Sequence, residues 1–226
     1  NADARKALYV GLDRESILYG AFGDEQFFTL NHHLMLKHEE ALWNTEIGKA
    51  GYGEVDIEAA KKYLEAAGYD GQELVIISNR VGGSYNAAVV LQQQLQGLGL
   101  NVRLDVYDNA ALFDVRSDKD RWDLYVIYSG GRSDPSNFTF LSPTASSGWV
   151  EDPRFDDIIA RFNSAKTFDE ARSLYDEMQA WVLDYVPVIK IGDINHIYAT
   201  SKAVRISDDA KSLGPHILSA YKHAAP

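Results

Sequence analysis

Arg132 is the residue whose placing most suggests binding chemistry. It follows an apolar run, Leu124 to Tyr128, and a Gly130-Gly131 pair. The run is rich in β-branched and aromatic residues. It reads as a strand covered on both faces, in the middle of an α/β sheet. The two glycines free the backbone and deliver the guanidinium just beyond the strand's C-terminal end. Asp134-Pro135 then opens a short helix, because Asp caps and Pro tolerates the first helical position. Ligands of open α/β sheets bind in the crevice outside the carboxyl ends of the strands. A guanidinium there presents a planar fork of donors suited to a carboxylate or phosphate. Arg132 reads either as a ligand contact or as a plain loop arginine, exposed to solvent or paired with Asp134. Tyr128 and Ser129 are placed to stack on or hydrogen-bond a ligand, with Tyr128 equally suited to the core. Asp134 is a cap before it is a ligand group.

A second strand-to-helix loop runs from Ser78 to Tyr85. Gly82-Gly83 before a Ser84 cap leaves free backbone N–H groups at a helix N-terminus, a ready anion site. The Gly-Lys-Ser ending of a P-loop is missing. Arg80 and Tyr85 are further ligand candidates in this loop, against the plainer reading of an exposed turn. His32, His33 and His38 with Glu39 match no metal-ligand spacing and are expected at the surface, so no metal is expected. Asp152, Asp156 and Asp157 sit at a helix start, where negative charge is at home. Nothing resembles a nucleophile elbow, and an enzyme reading has no positive support.

Composition sets bounds on these readings. The 226 residues are 46% apolar and 24% charged, ordinary globular values. A net charge of −11 argues against nucleic acid and anionic membrane surfaces, which call for surplus Lys and Arg. The absence of cysteine removes disulfides, thiolate nucleophiles and cysteine-bound zinc. No apolar run reaches the length of a membrane span. The abrupt start at Asn1 suggests an excised segment, in which a missing signal peptide carries no meaning.

The elements that would position these loops follow from period and caps. Residues 4–10 and 14–19 read as helices. Residues 20–52 show no clean period. Asp56 caps a helix with Ile57, Ala60, Leu64 and Ala67 inside, stopped at Gly68. Residues 73–78 form a strand. Ser84 begins a helix burying Ala87, Ala88, Leu91, Leu95 and Leu98. A strand over 102–107, a short helix over 110–115 and the 122–128 strand come next. Helices over 155–165 and 169–185 follow; the second places Ala171, Leu174, Tyr175, Met178, Trp181, Val182 and Tyr185 on one face. Residues 186–191 read as a strand with Pro187 near its start, and 206–214 as an exposed turn. This order predicts an α/β fold: a largely parallel mixed sheet flanked by helices.

Several passages in order resemble the peptide/nickel-type (family 5) solute-binding proteins of ABC importers. Ala4-Arg-Lys-Ala-Leu-Tyr-Val-Gly-Leu-Asp-Arg-Glu-Ser-Ile17 is similar to the family's first helix pair. Asp56 to Tyr69 looks like its helix ending in Ala-Gly-Tyr, and Leu91 to Val102 like its helix-to-strand turn. Trp122-Asp-Leu124, Asp134-Pro135, Asp152-Pro-Arg-Phe-Asp156, Ala171 to Tyr175 and Tyr185-Val-Pro-Val188 follow in the family's sequence. Each is weak alone. The set spans about residues 4–190 and is specific for the family, not for the ligand.

The resemblance implies one lobe of a type II periplasmic-binding-protein-like clam-shell. Residues 1–192 would be the second lobe, and 193–226 a return segment toward a first lobe that is absent. It further implies solute capture by hinge closure without bond chemistry, no cofactor, and delivery to ABC permease subunits. The full-length precursor would carry a signal peptide. The place would be the periplasm, or the outer surface by a lipid anchor in a Gram-positive source. In peptide-binding members an Asp three residues before the Asp-Pro pair often engages the ligand's amino group; here that position is Gly131. Arg132 beside it points away from a plain dipeptide and toward an acidic conjugate, an opine-like compound or a sugar acid. A small-molecule enzyme on a doubly wound fold is the alternative, and a paired base and nucleophile at the strand ends would mark it. A sensor domain reusing the fold is the third reading, which flanking sequence would decide.

Overall fold

The computed structural model describes residues 1–132, 134–138, 141, 149–195, 197, 204–206 and 220–222. Its centre is a parallel three-stranded sheet, ordered β3 (Val102–Val106), β2 (Leu74–Ser78), β4 (Leu124–Val126). Leu74 faces Val102 in one ladder, and Ile76 faces Leu124 in the other. Helix α5 (Ser84–Gly97) makes the crossover from β2 to β3, and α6 (Asn109–Arg116) leads from β3 to β4. Among the described residues β4 pairs only with β2. The expectation of a central, doubly covered strand is therefore corrected. All three of its residues are half-buried, and Ile127 beyond it is 44% exposed.

One face of the sheet is covered by α1 (Ala2–Gly11), α2 (Arg14–Phe22), α4 (Ile57–Ala66) and α5. Ala7, Leu8, Ile17, Ala60, Ile76, Ala88, Leu91 and Leu95 form the core between them. Helices α1 and α4 approach so closely that a Cβ on Gly11 would lie 2.9 Å from the Ala60 methyl. Ile57, expected inside, is 39% exposed. The other sheet face packs Ile77 against Leu112 and Val115 of α6, with Val75, Tyr107, Trp122 and Tyr125 partly buried beside them.

A second core lies between α7 (Pro153–Ser164) and α8 (Phe168–Tyr185), closed by Leu34, Met35 and Trp43 of α3 (Glu40–Trp43). Helix α8 starts with a reciprocal capping box, Thr167 with Glu170. Its buried stripe of Leu174, Tyr175, Met178, Trp181 and Val182 matches the periodicity. Arg5 ties the two cores together: its Nε donates to Tyr185 O at 2.8 Å and its guanidinium lies over the Tyr185 ring.

Residues 186–191 form no strand. Val186 ends α8 in the left-handed region at φ 52°, and Pro187 brings no donor, so no ladder starts there. The ladder begins three residues after Lys190. There β5 (Asp193–Ile194) pairs antiparallel with β1 (Phe28–Thr29), inside the stretch that has no readable period. A separate antiparallel pair joins β6 (Val204–Ile206) to β7 (Ala220–Lys222). The turn expected over 206–214 lies outside the described residues from 207 onward.

Loop 31–37 is threaded through the second core on polar contacts. Asp193, 6% exposed, meets Lys190 Nζ at 2.6 Å. Its other oxygen accepts from Asn31 Nδ2 at 2.8 Å and from Lys37 N at 2.7 Å. Lys190 Nζ also donates to the carbonyls of His33 and Met35, each at 2.8 Å. Gln179 accepts from Leu34 N and donates to His32 O. The Tyr175 hydroxyl accepts from Met35 N, leaving its own proton for His33 Nδ1 at 3.1 Å. The surface expected of the histidines is corrected for His33, which is 1% exposed. Burial is what moves the imidazole most: with the Lys190 ammonium and His32 adding to it, the group is pushed down to about 4.

Two predictions follow from this packing. Met178 is fully buried in the α7–α8 core. Met178→Ala is expected to cost about 2–5 kcal/mol, read as a lower urea midpoint with unchanged slope; an unmoved midpoint would refute the core assignment. His33 sets a pH dependence. The unfolded chain takes its proton near 6.5, while the folded chain resists until about 4. The unfolded state thus holds more protons in between, and stability falls as pH drops through that window. From pH 7 to pH 5 the loss through His33 is about 2 kcal/mol. Urea titrations at both pH values should show it, and His33→Gln should remove that part of the difference.

Candidate ligand-binding site

The loops that leave β2 and β4 lie side by side because the strands are parallel neighbours. Ser78 Oγ donates to Val126 O at 2.9 Å. Tyr128 N donates to Ser84 Oγ at 2.8 Å. These bonds join the 79–83 loop to the 127–132 loop. Ser84 is thereby removed from its expected capping role, and Gly83 stands at the cap position of α5. Gly82 and Gly83 have φ of 59° and 81°, a region that L side chains rarely adopt. Both are also crowded: a Cβ on Gly82 would lie 2.9 Å from Tyr128, and one on Gly83 would lie 2.7 Å from the Phe22 ring. Asn79 completes the loop, donating to Asn109 Oδ1 at 2.8 Å and accepting from Val81 N.

The sequence-derived candidates come together at this edge. Arg80 is exposed, with its guanidinium carbon 4.2 Å above the centre of the Tyr85 ring. Arg132 folds over its own loop, where Nε donates to Asn137 O at 3.1 Å and one terminal nitrogen donates to Gly130 O and Gly131 O. The ion pair with Asp134 is not formed, and the plain loop-arginine reading stands beside the ligand contact. The Asp134 carboxylate instead accepts from Ser136 N at 2.8 Å and Ser136 Oγ at 2.6 Å. It caps a single 3-10 turn, Pro135–Asn137, rather than a longer helix. Ser129 is exposed and Tyr128 half-buried. Among the described residues neither Arg80 nor Arg132 has a carboxylate within ion-pair distance. Val81 and Ile127, on the same two loops, are 45% and 44% exposed.

The edge therefore presents two guanidinium groups, two tyrosine rings, the exposed Ser129 hydroxyl, in a long bond to Gly130 O, and two aliphatic side chains. Such a set can hold an anion with an apolar body; it holds no general base paired with a nucleophile. Two shallow concavities lie away from it. One is acidic, with Glu15, Asp24 and Glu25 around Tyr19 and Phe28, and the other is of mixed charge around Arg103, Asp105 and Trp122. Neither gathers convergent groups as the strand ends do. Asp152, considered for acid–base chemistry, caps α7; bonds from the Arg154 and Trp181 side chains hold its carboxyl well below the usual range. Among the described residues no three His, Asp or Glu side chains are grouped to hold a metal ion.

Sequence reasoning missed Leu36, which packs against Gly131 of the 127–132 loop, and the Lys190–Asp193 pair that anchors Leu36's loop. A Lys and an Asp three residues apart inside an apolar stretch were the available signal. Their partners lie some 155 residues away along the chain, beyond any local pattern.

Comparison with known proteins accounts for this architecture. A probable peptide ABC transporter periplasmic-binding protein of Sinorhizobium fredii is 28% identical over 205 residues, covering 84% of this chain and 38% of that protein. The chain thus spans well under half the length of this curated relative. The ABC transporter substrate-binding protein CtaP of Listeria monocytogenes superposes with a TM-score of 0.82 at 21% identity, over 98% of this chain and 47% of its own. A dipeptide-binding protein from a Pseudoalteromonas species, solved with Met-Leu, gives 0.73 at 21% identity, over 99% and 45%. These two likenesses concern the fold, a lobe of a type II periplasmic binding protein. The family model "Bacterial extracellular solute-binding proteins, family 5 Middle" matches residues 1–152, and the chain belongs to that family.

Proposed function

We propose that this chain is the second lobe of an extracytoplasmic receptor that captures a small solute and delivers it to an ABC permease. The solute is a peptide or a related small molecule carrying an anionic group. The observation that carries this reading is the pair of arginines, Arg80 and Arg132, left without carboxylates at the strand ends of an acidic, family 5 chain. Capture proceeds by complementary contacts and hinge closure, without bond chemistry and without a cofactor. Residues 1–192 form the lobe, and 193–226 lead back toward a first lobe that supplies the other wall of the cleft. The receptor works in the periplasm, or on the outer face of a cell by a lipid anchor. No helix among the described residues is long and apolar enough to cross a membrane, which suits either place.

Within the cleft, Arg80 and Arg132 hold the anion, and Tyr85 and Tyr128 flank its body. Ser129 offers a hydroxyl, and Asp134 keeps the loop in shape through its cap. Native mass spectrometry of the full-length receptor, purified without refolding, tests the reading. A retained small solute of defined mass is expected, and a receptor that carries none and binds none of a peptide panel would refute it.

Two further measurements bear on the site. The isolated lobe leaves one side of the solute in water and gains nothing from closure, yet carries the entropy cost of association. Calorimetry should find its affinity at least about 100-fold below that of the full receptor, a loss of roughly 2.7 kcal/mol. Equal affinities would show that one lobe holds the whole site. Removing one partner of a desolvated charge-assisted pair costs about 2–5 kcal/mol. Arg80→Ala and Arg132→Ala should each weaken binding roughly 30-fold or more. Arg132→Lys should recover only part, since it lacks the planar fork. Normal binding by both alanine variants would remove the arginines from the site.

A further inference from the structure

Loop 31–37 is fastened to the body of the lobe by side-chain bonds. The N–H groups of His33, Leu34, Met35 and Lys37 donate to Asn31 Oδ1, Gln179 Oε1, the Tyr175 hydroxyl and Asp193 Oδ2. The carbonyl of His32 accepts from Gln179 Nε2, and those of His33 and Met35 accept from Lys190 Nζ. Leu34 and Met35 add an apolar hold, both buried in the α7–α8 core. Breaking this set opens the loop without undoing a helix or a ladder. His33 sits inside it, 1% exposed. The Tyr175 hydroxyl accepts from Met35 N, so its own proton goes to His33 Nδ1 at 3.1 Å. The neutral imidazole then carries its proton on Nε2, which has no partner among the described residues. A second proton on Nδ1 turns an acceptor into a donor facing the Tyr175 O–H. Tyr175 stays neutral, since burial pushes its proton loss upward. The Lys190 ammonium and His32 oppose a charge on the ring; Asp193 and Glu40 favour one. Both carboxylates are already engaged, Asp193 with Lys190, Asn31 and Lys37 N, and Glu40 with the Lys37 ammonium. A buried charge without a partner of its own is costly, whereas an imidazole in water takes its proton freely. Acid therefore favours any arrangement that brings His33 into water, and opening this loop is the smallest movement that does so.

We infer that loop 31–37 is an acid-operated latch: protonation of His33 frees it from α8 and from the Lys190–Asp193 pair while both cores stay folded. The latch stands at the β1–β5 crossing, since Asn31 follows β1 and Asp193 opens β5. It is a property of the lobe itself and holds whatever solute the receptor takes.

The test is amide hydrogen exchange on the full-length receptor, read by mass spectrometry and corrected for the intrinsic pH dependence of exchange. At pH 7 the amides of Leu34, Met35 and Lys37 should exchange through an opening at least about tenfold more frequent than that of the β2–β3 ladder. Between pH 7 and pH 5 the loop's opening equilibrium should rise about 20-fold, as a proton is taken near 6.5 in the open loop and near 4 in the closed one. His33→Gln still accepts from Tyr175 but takes no proton, and should hold that rise below about threefold. The latch is overturned if the loop amides exchange no faster than the ladder, because opening is then global. It is overturned as well if the rise is absent, or if His33→Gln shows it in full. Should His33→Gln leave the loop open already at pH 7, the wild type decides. Exchange of the imidazole C2 hydrogen follows the protonation of His33: a midpoint near 4 upholds the latch, and one near the 6.5 of a free histidine refutes it.

Discussion

The contact between Lys190 and Asp193 is an expensive one to form. Both groups leave water, and burial pushes the lysine below its ordinary value against the pull of the aspartate. Pairs of this kind seldom add much net stability over well-packed apolar residues. Their effect is to exclude other arrangements, since either charge alone inside the protein is worse by several kcal/mol. Here the excluded arrangements are those of loop 31–37, which has no helix or ladder to satisfy its backbone. The ammonium takes two of its carbonyls, and the carboxylate takes Lys37 N and the Asn31 amide. The same aspartate opens β5, which pairs with β1. One ion pair thus registers three things together: the loop, the antiparallel crossing of the chain, and, through Leu36, the floor under Gly131.

Charge at the strand ends runs against the charge of the chain. A net −11 spread over the surface is screened beyond about 8–10 Å at ordinary ionic strength. What a bound group meets is local, and locally the two crevice loops present guanidiniums with no carboxylate set against them. Three other arginines are neutralised: Arg103 by Glu73 and Asp105, Arg154 by Asp152 and Asp184, Arg161 by Asp157 and Glu177. Others bond backbone carbonyls or lie over rings, as Arg5, Arg14 and Arg172 do. Arg80 and Arg132 share the lack of a carboxylate with these, and differ in standing at the strand ends.

The parts legible in the sequence are those governed by short-range rules. Caps and periods placed α4, α5, α7 and α8 within a few residues, and the apolar runs placed β2 and β3. The loops with Arg80 and Arg132 were legible because strand ends and glycine pairs are local features. The failures share one cause. Lys190 in an apolar run reads as an exposed strand residue until its partners at 33, 35 and 193 are known. His33 reads as surface until Tyr175, 142 residues away, is placed beside it. The centrality of β4 could not be read either, because a continuous apolar run does not tell which neighbours a strand will find. Leu36 was invisible for the same reason: its contact is with Gly131, far along the chain.

The glycines of the two crevice loops show how much this matters for reading a binding site. Gly82 and Gly83 must be glycine on conformational grounds: a larger residue would strain the turn whatever surrounds it. Gly131 has no positive φ, and among the described residues a Cβ there would meet the Leu36 side chain. In the sequence the two cases look alike. Physically they differ in what can change, since the first constraint belongs to the backbone and the second to a pair of residues. A side chain at 131 is met by the end of a leucine side chain, which can turn, whereas one at 82 or 83 is opposed by the backbone conformation itself.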